Sequence, residues 1–498
     1  MPRAPFIACV VLFGCTVELG DAPVAVEFGA AARGASSVCW QELRQTISGF
    51  GASSAWTAPD LADELADELF SPERIGLSLL RVRIAPNGMT SEVATARKAQ
   101  ERGAKVWAAP WSPPGAWKTS GTDAHGGALF PESYGDWAAR LAAFVRARED
   151  EGLRLYALSV QNEPDFVAAW ETCEWEPAEL ATFIGAHLVP ALEEQGVSPR
   201  LLAPESANWS SIGRYGEALL ADPLAGAAVD IVATHGYGAA RPYAYRSPRQ
   251  RGKELWMTEW SDPTPGGPDA GMSSGLVVAR AIHENLTVAE TNAWHYWWIT
   301  ERDDTPPGRD GLMSQGEITR RGYVMGQFSR FIRPGSTRIR LTIESPQPGV
   351  LASAYLGETG AELVLVLVNE NSTSVTQAFD FTGAEVGDLT PYLTNDEVAL
   401  EAGPALTGGT EVTLELAPLS VTTFTAPVVI DGDAPVSEAC SSVEPLLESD
   451  ATGCACRVVA PAHAPRGASY WVVPIVMMVS VLGRRASRSP SRRTLSVP

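Results

Sequence analysis

The sequence predicts an α/β protein, a (β/α)8 TIM barrel with an attached antiparallel β-sandwich as a side domain. Between residues 48 and 333, short apolar runs alternate with helical patterns, and eight such strand-helix units match the size of a TIM barrel. Beyond Pro334-Gly335, alternating apolar and polar residues without long helical stretches are typical of antiparallel strands. A chain of 498 residues that is 45% hydrophobic can bury one large core and a smaller one.

The barrel strands are predicted where short apolar runs end in polar residues or proline. Helical patterns separate them, such as 60–70 and 134–150, whose apolar residues recur on one stripe. The eight predicted strands are 47–53, 79–84, 105–110, 155–161, 200–204, 230–234, 254–258 and 292–299.

The side domain is predicted from residues 334–428, joined by one or more N-terminal strands from residues 23–47. A following stretch, 429–452, is rich in Asp, Ser, Glu and Pro and predicts a linker. The predicted side-domain strands are 337–343, 350–355, 363–368, 375–381, 411–416 and 421–426.

Both ends of the chain are typical of targeting segments. Residues 1–22 contain a short apolar run before Cys15, which favours a signal peptide and resembles the lipobox of bacterial lipoproteins. Residues 453–498 combine two cysteines, a basic cluster and an apolar run of about 12 residues, fewer than the ~20 that span a bilayer. This order resembles the Cys-containing C-terminal sorting tail of myxobacterial surface proteins. We therefore expect export, followed by secretion or by anchoring at the outer membrane surface.

Composition excludes several classes of function. A formal net charge of -21 disfavours nucleic acid as a partner, because phosphate binding needs clustered Lys and Arg. Six scattered histidines, seven cysteines without a paired zinc spacing and no His-Glu-x-x-His motif predict no metal site. We expect a monomer that needs no cofactor and acts on a neutral or weakly acidic substrate.

Glu163 lies at the exit of the predicted fourth strand, in Leu158-Ser159-Val160-Gln161-Asn162-Glu163-Pro164. Since active sites of TIM barrels form at the carboxyl ends of the strands, the polar and aromatic residues that close each strand should converge. These residues are Trp56, Arg83, Asn87, Trp111, Trp117, Asn162, Glu163, Glu205, Asn208, His235, Tyr237, Glu259, Trp260, Trp297 and Trp298.

Carboxylates at the ends of different strands, surrounded by indole rings, are typical of glycoside hydrolysis. Sugars stack their C–H faces on aromatic rings, while one acid protonates the leaving oxygen and a second carboxylate attacks or directs water. On spacing alone, either Glu205 or Glu259 could be the partner of Glu163.

Six motifs follow one another along the chain: Gly49-Phe50-Gly51-Ala52-Ser53, Pro110-Trp111-Ser112-Pro113-Pro114, Ser159-Val160-Gln161-Asn162-Glu163-Pro164, Ala203-Pro204-Glu205-Ser206, Leu255-Trp256-Met257-Thr258-Glu259 and Phe331-Ile332-Arg333-Pro334-Gly335. In this order they resemble glycoside hydrolase family 30 of clan A, over roughly residues 38–428. The resemblance implies a barrel fused to a side β-domain. It also implies that Glu163 is the general acid/base and Glu259 the nucleophile of a retaining reaction, with Glu205 in support. The two catalytic carboxyl groups should then lie ~5 to 5.5 Å apart.

The resemblance suggests roles for the neighbours of these glutamates. Asn162 would bind the sugar 2-hydroxyl, and Arg83 and Tyr237 would lie against Glu259 and keep it ionised. His235 is interpreted equally well as a structural histidine or as a ligand contact. The candidate walls of the sugar site are Trp56, Trp111, Trp117, Trp260, Trp297 and Trp298. Because side chains alternate along a strand, only one of the last two should face the barrel, and we expect Trp298.

The stretch from Arg321-Gly322-Tyr323 to Arg333-Pro334-Gly335 most resembles the bacterial xylan-cleaving branch of the family. Glucuronoxylanases of that branch bind the glucuronate side group through two arginines after the tryptophans of strand eight. Here Glu301 stands at one of these positions, and Arg302 is left as a candidate side-group contact. We predict cleavage of the β-1,4-xylan backbone. The alternatives are β-1,6-glucan, β-1,6-galactan or exo-cleaved β-glycosides and, in another class, a non-catalytic carbohydrate-binding surface protein.

Overall fold

The structure is a computed structural model that describes residues 35–264, 269–302, 310–343, 346–432 and 438–441. Its first strand, β1 (Ser36–Thr46), belongs to the side domain, and the next eight form a closed parallel barrel. The barrel strands are β2 (Gly49–Ser53), β3 (Leu79–Ile84), β4 (Lys105–Pro110), β5 (Leu155–Ser159), β6 (Arg200–Leu202), β7 (Val229–His235), β8 (Glu254–Glu259) and β9 (Ala293–Trp298).

The predicted barrel is confirmed, and β3 and β4 have the predicted bounds. The strand β6 is shorter than predicted and ends at Leu202. Pro204 lacks the N–H that a parallel ladder requires, and Glu205 has a positive φ of 61° that no regular strand adopts. The regular ladder is therefore interrupted at Pro204, although the N–H groups of Ala203 and Glu205 still donate to carbonyls of β7.

Amphipathic helices cover the outside of the barrel. In α3, for example, Trp137, Leu141, Phe144 and Val145 are buried on one stripe, as their spacing predicts. The helices are α1 (Asp63–Phe70), α2 (Val93–Glu101), α3 (Tyr134–Asp150), α4 (Pro177–Phe183), α5 (Val189–Glu194), α6 (Ile212–Ala221), α7 (Pro223–Ala228), α8 (Ser247–Gln250), α9 (Met272–Thr287), α10 (Arg320–Ser329) and α11 (Glu438–Ser441).

The interior of the barrel is filled in layers by alternate residues of its strands. Along β3, Leu79, Arg81 and Arg83 point inward, whereas Leu80 and Val82 pack beneath the helices. The lower layer is apolar and aromatic, with Trp107 and Trp256 buried at its centre. The polar residues at the carboxyl ends of the strands therefore lie on a layer of buried apolar and aromatic side chains.

The side domain is one ten-stranded, mostly antiparallel sheet whose two halves enclose a separate core. Strand β1 joins the halves, because it pairs antiparallel with β12 and parallel with β15. A small hairpin, β10 (Met313–Ser314) and β11 (Glu317–Ile318), precedes the sheet. The remaining strands are β12 (Thr337–Leu341), β13 (Val350–Leu356), β14 (Glu362–Asn369), β15 (Val375–Asp380), β16 (Ala384–Val386), β17 (Thr390–Thr394), β18 (Ala399–Ala402), β19 (Glu411–Leu416) and β20 (Ser420–Ile430).

A disulfide between Cys39 of β1 and Cys440 of α11 links the two ends of the described chain. Among the described helices, none is long and apolar enough to cross a membrane. The predicted signal segment (1–22) and C-terminal tail (453–498) lie outside the described residues.

Candidate active site

A cleft of about 940 Å³ opens at the carboxyl ends of the barrel strands. Its size is within the range of ~300 to 1,000 Å³ that is usual for ligand pockets. Both glutamates predicted to be catalytic line it, together with an aromatic wall. The lining includes Trp56, Trp111, Glu163, Phe166, Trp170, Glu171, Asn208, Tyr237, Glu259, Trp297, Trp298, Arg302 and Asp310.

Glu163 is placed by the loop that follows β5. Its backbone N–H donates to the carbonyl of Glu205 at 3.0 Å, and the N–H of Glu205 donates to the carbonyl of Ala233 at 3.0 Å. Glu163 and Glu205 both have positive φ angles, 45° and 61°, which are uncommon for residues other than glycine. Such conformations persist where the surroundings hold them, and they cluster at functional sites.

The carboxyl group of Glu163, in the loop after β5, approaches that of Glu259 at the end of β8. One oxygen of each lies within 4.8 Å of the other. A pair of oxygens this close is expected for the ~5 to 5.5 Å between carboxyl groups of retaining glycosidases rather than for the ~6.5 to 9.5 Å of inverting enzymes. Both residues are almost fully buried, so the cleft holds two carboxyl groups in a nearly dry setting.

Arg81, not Arg83, is the cation that contacts Glu259. The buried guanidinium of Arg81 donates to Glu259 through Nη1 and lies 2.6 Å from Glu205 Oε1 through Nη2. Arg83 instead donates from Nε to Glu171 at 2.9 Å and lies over the Trp56 ring, 4.9 Å from its centre. The prediction that Arg83 contacts Glu259 was therefore wrong. Both arginines point into the barrel, but Arg81 lies one layer deeper and is the one that reaches Glu259.

His235 lies between the three glutamates. Its Nδ1 is 3.0 Å from Glu163 Oε1, and its Nε2 is 3.3 Å from Glu205 Oε1 and 3.8 Å from Glu259 Oε2. Burial by itself lowers the pKa of His235, but the charge of Glu259 and hydrogen bonds to the other two glutamates raise it to about 10. An imidazolium donates from both nitrogens, as these contacts require. His235 is therefore a positively charged spacer that orients carboxylates.

The remaining charges define which carboxyls are ionised. Burial raises the pKa of Glu205, but Arg81, His235 and the hydroxyl of Ser159 outweigh it and lower the pKa overall. Burial raises the pKa of Glu259, and the cations His235 and Arg81 oppose that rise. With Arg81 and His235 charged, three carboxyl groups face two cations. One proton shared among the three carboxyl groups would make the net charge of the cluster zero. A carboxyl group that carries this proton can act as the acid catalyst.

Tyr237 contacts Glu259 as predicted, with its hydroxyl donating to Oε1 at 2.9 Å. Burial, with the nearby charge of Glu259, raises the pKa of Tyr237 well above its usual value, so the hydroxyl keeps its proton. The two oxygens of Glu259 are thus held separately, one by Tyr237 and one by Arg81. This holds the carboxylate in one orientation.

Asn162 is held so that its amide N–H group remains available. Its Oδ1 accepts from Arg81 Nη2 at 2.6 Å, which fixes Nδ2 as the atom that points away from the guanidinium. Within the described part of the chain, Nδ2 is buried without a hydrogen-bond partner. A buried donor left unpaired is costly, so a ligand acceptor is the expected partner.

Trp56, Trp111 and Trp297 form the aromatic wall. Trp56 packs edge-on against Trp111, with ring centres 4.9 Å apart, and Trp111 lies over the Arg81 guanidinium at 4.3 Å. Trp297 completes the group, 5.9 Å from Trp111. The Trp56 ring is 40% exposed and so presents a face to the cleft.

The expectation that only Trp298 of the adjacent pair faces the barrel was wrong. Both Trp297 and Trp298 line the cleft, with their rings stacked 4.9 Å apart at 27°. Strand alternation fails here because the register between β2 and β9 shifts, and Ser53 pairs with Trp298 rather than with Trp297.

Trp117 and Trp260, also candidate walls, pack elsewhere. The ring of Trp117 lies against Arg140, and that of Trp260 lies against Trp294 and Tyr296. Neither is part of the cleft lining.

The cleft lining also contains two acidic residues that sequence reasoning missed, Asp310 and Glu171. Asp310 accepts from Ser261 at 3.2 Å and Tyr296 at 3.3 Å, and burial raises its pKa to about 6. Glu171 lines the cleft and pairs with Arg83, and Arg302 lines the cleft as a cation. Glu301 accepts a hydrogen bond from Ser314 at 2.7 Å. Asp310 follows no strand end, so no sequence pattern indicated it.

Glu163, His235 and Glu259 are close enough together to surround a metal ion. Their chemistry favours another use. Both nitrogens of His235 face carboxylates, and its pKa of about 10 keeps protons where a metal would need a lone pair. Arg81 already neutralises Glu259. The set fits proton transfer and covalent chemistry at carbon better than metal coordination.

Comparison with known proteins gives a consistent picture. Residues 91–246 match the model of the glycosyl hydrolase family 30 TIM-barrel domain. A glucuronoxylanase from Bacillus subtilis (strain 168) is 33% identical over 443 residues, which cover 85% of this chain and 99% of that protein.

Two solved structures also have this fold. The family 30 subfamily 8 xylanase of Clostridium acetobutylicum is 33% identical with a TM-score of 0.71, covering 79% of this chain and 99% of that one. A family 30 endoxylanase of Clostridium papyrosolvens is 32% identical with a TM-score of 0.68, covering 79% of this chain and all of that one. The barrel, the side sheet and this near-complete alignment show that the chain is a glycoside hydrolase and belongs to glycosyl hydrolase family 30.

Proposed function

We propose that this protein is a retaining endo-β-1,4-xylanase in which Glu163 is the acid/base and Glu259 the nucleophile. The observation that carries the proposal is the proximity of the two carboxyl groups inside an aromatic cleft, where one oxygen of Glu163 lies within 4.8 Å of one oxygen of Glu259. The similarity to a glucuronoxylanase over 99% of that relative supports xylan as the substrate class.

In the first step, Glu163 donates a proton to the glycosidic oxygen while Glu259 attacks the anomeric carbon. The C–O bond to the leaving sugar breaks, and a covalent ester forms between the sugar and Glu259. Arg81 and Tyr237 hold the two Glu259 oxygens, so the carboxylate is oriented before substrate arrives. In the second step, Glu163 removes a proton from water, which attacks the anomeric carbon and releases Glu259.

His235 and Asn162 support both steps. The imidazolium of His235 holds Glu163 at 3.0 Å, which positions the acid over the cleft. The free Nδ2 of Asn162 is directed by Arg81 and would donate to the sugar 2-hydroxyl, a contact that can strengthen in the transition state. Trp56, Trp111 and Trp297 would stack on the sugar faces.

The charge of the outer cleft suggests that a glucuronate side group is not required. Asp310 and Glu171 place acidic groups in the cleft lining, and Arg302 is a cation of the described lining that would contact a uronate. Like charges across a binding surface disfavour association. Plain β-1,4-xylan should therefore be cleaved as readily as glucuronoxylan.

Export fits the covalent structure. Disulfides form and persist in oxidising compartments, and Cys39 and Cys440 are joined by one. We propose that the protein is a monomer that is secreted or held at the outer cell surface. The signal segment and the C-terminal tail predicted from the sequence would direct this export and anchoring.

The catalytic roles can be tested with an aryl β-xyloside and azide. Removing the nucleophile in Glu259→Ala should lower kcat by about three orders of magnitude or more. Azide can then attack directly in place of Glu259, giving the α-glycosyl azide. In Glu163→Ala the covalent intermediate still forms from an activated leaving group, so azide should yield the β-glycosyl azide. Exchanged product stereochemistry would reverse the two assignments.

The substrate can be tested by product analysis on plain xylan, glucuronoxylan and β-1,6-glucan. We expect mixed xylo-oligosaccharides from the first two and no products from the third. Exclusive release of monosaccharide would contradict the endo mode. Cleavage of β-1,6-glucan alone would overturn the xylanase proposal while leaving the glycosidase assignment intact.

A further inference from the structure

A basic cluster lies at the opposite end of the barrel from the cleft. The stretch 241–253 contains Arg241, Arg246, Arg249, Arg251 and Lys253 and no acidic residue, in a chain whose net charge is -21. It is the later part of the connection from β7 to β8 and leads into the amino end of β8. This concentration of positive charge is not explained by the proposed reaction.

Part of this stretch borders a cavity of about 240 Å³ between the barrel and β1. Thr46 and Asn292, which precede the barrel strands β2 and β9, mark it as a feature of the amino-terminal face. Four cations line the cavity, Arg44, Arg246, Arg249 and Lys253, against a single carboxylate, Glu290.

Glu290 does not neutralise these cations. It accepts from Arg249 at 2.9 Å and from Arg338 at 3.1 Å, and it lies 3.8 Å from Arg44. One negative charge is therefore shared by three guanidinium groups. Glu42, 3.5 Å from Arg44, is itself paired with Arg340.

The other two cations have little local compensation. Among the described residues, neither Arg246 nor Lys253 has a carboxylate within 4.0 Å, and Lys253 donates only to the carbonyl of Ala227 at 3.3 Å. Nε of Arg44 is buried and has no hydrogen-bond partner within the described chain. Unpaired N–H groups and excess positive charge at one cavity favour an anionic ligand.

We propose that this cavity binds a small oxyanion, the carboxylate of a sugar acid or an inorganic phosphate, through Arg44, Arg246, Arg249 and Lys253. Guanidinium groups match both oxyanions because their paired N–H donors meet two oxygens at once. The cavity is smaller than the ~300 to 1,000 Å³ of pockets for larger ligands, so it accommodates one charged group rather than an oligosaccharide. A uronate on an acidic polysaccharide would then be held away from the cleft that cleaves the backbone.

The test is isothermal titration calorimetry of the full chain at low ionic strength with sodium phosphate, D-glucuronate and D-glucose. We expect wild type to bind at least one of the two oxyanions and not to bind glucose. The affinity for the oxyanion should fall as salt is added. The double variant Arg246→Gln/Lys253→Gln should raise the Kd at least tenfold. Both side chains reach the surface, so the variant should fold, and its melting temperature checks this.

Arg97→Gln/Arg154→Gln is the matched control, since it removes two exposed charges elsewhere on the barrel and should bind as wild type does. Binding of phosphate alone would assign the site to an inorganic anion, and binding of glucuronate alone to a sugar acid. Absence of oxyanion binding in wild type, or equal affinity in both double variants, would overturn the proposal. The Arg246→Gln/Lys253→Gln variant should retain xylan cleavage, so this result is independent of the proposed catalytic function.

Discussion

Inward-facing positions of the barrel strands hold charged residues in the upper layer and apolar or aromatic residues in the lower layer. The upper layer contains Arg81, Glu205, His235 and Glu259, all buried and all paired. The lower layer is apolar, and its polar atoms belong to aromatic residues such as Trp107 and His295. The fold supplies the inward direction, and the choice of residue at each depth decides between chemistry and packing.

Two fully buried histidines show the difference. The carboxylates around His235 raise its pKa to about 10, whereas burial lowers the pKa of His295 to about 3. Nε2 of His295 accepts from Trp107 Nε1 at 3.1 Å, and its Nδ1 lies 3.2 Å from the carbonyl of Met257. Burial alone keeps an imidazole neutral, and only the carboxylates of the upper layer make it a cation. The predictions below test that division.

Arg81→Met should have the largest effect, because it removes one of the two cations that stabilise the buried carboxylates Glu205 and Glu259 and leaves only His235. Removing one partner of a buried ion pair costs about 3 to 5 kcal/mol of stability. We expect a loss of that size in the free energy of unfolding, measured by urea denaturation, together with near-complete loss of xylan cleavage. If the variant does not fold, Arg81→Lys retains the charge and should still lower kcat.

Arg83→Met is the matched comparison, since it removes a guanidinium from the same face of β3 one layer above. Its partner Glu171 is partly exposed, so the cost should be about 1 kcal/mol. Equal losses of kcat in Arg81→Met and Arg83→Met would contradict the assignment of Arg81 as the arginine that orients Glu259.

Asn162→Ala should lower kcat/KM about 100-fold, because it removes the proposed donor to the 2-hydroxyl. The loss should nearly vanish on a 2-deoxy aryl glycoside, which lacks that hydroxyl. Asn208→Ala, at another cleft-lining amide, should change kcat/KM only slightly. A full loss on the 2-deoxy substrate would show that Asn162 acts through Arg81 rather than through the sugar.

His235 should make stability depend on pH. Its folded pKa of about 10 lies above the ordinary histidine value of about 6.5, so its charge contributes fully below pH 6.5 and the contribution is lost as pH rises through 10. Between pH 6.5 and 9.5, wild type should lose on the order of 3 kcal/mol more than His235→Asn. Urea denaturation at three pH values measures this slope. Parallel curves for the two proteins would mean that His235 is not charged.

Much of this architecture was readable from sequence, because it depends on local patterns. Apolar runs closed by polar residues gave the eight barrel strands, and the same reasoning placed Glu163, Tyr237 and Glu259 together. The short strands β10, β11, β16, β17 and β18 were missed, since two to five residues carry too little alternation to distinguish a strand from a turn.

The sequence did not predict how deep in the barrel each inward-facing side chain lies. Arg81 and Arg83 share the inward direction, and which one reaches Glu259 depends on how far β3 is staggered against its neighbours. The positions of Trp297 and Trp298 depend on a register shift of β9 against β2, a strand that is far away in sequence. Side-chain direction follows from one strand, whereas stagger and bulges are properties of strand pairs.

His295→Phe should have the smallest effect, and it isolates the lower layer. The substitution keeps the ring and removes the partners of Trp107 Nε1 and the Met257 carbonyl, so we expect a loss of about 1 kcal/mol in unfolding free energy. Because His295 titrates near pH 3, this difference should stay constant from pH 6.5 to 9.5, where the His235 difference changes. Xylan cleavage should be within about twofold of wild type, since His295 contacts none of the three glutamates. A pH-dependent difference, or a large loss of kcat, would show that the lower layer takes part in the charge network and is not only its floor.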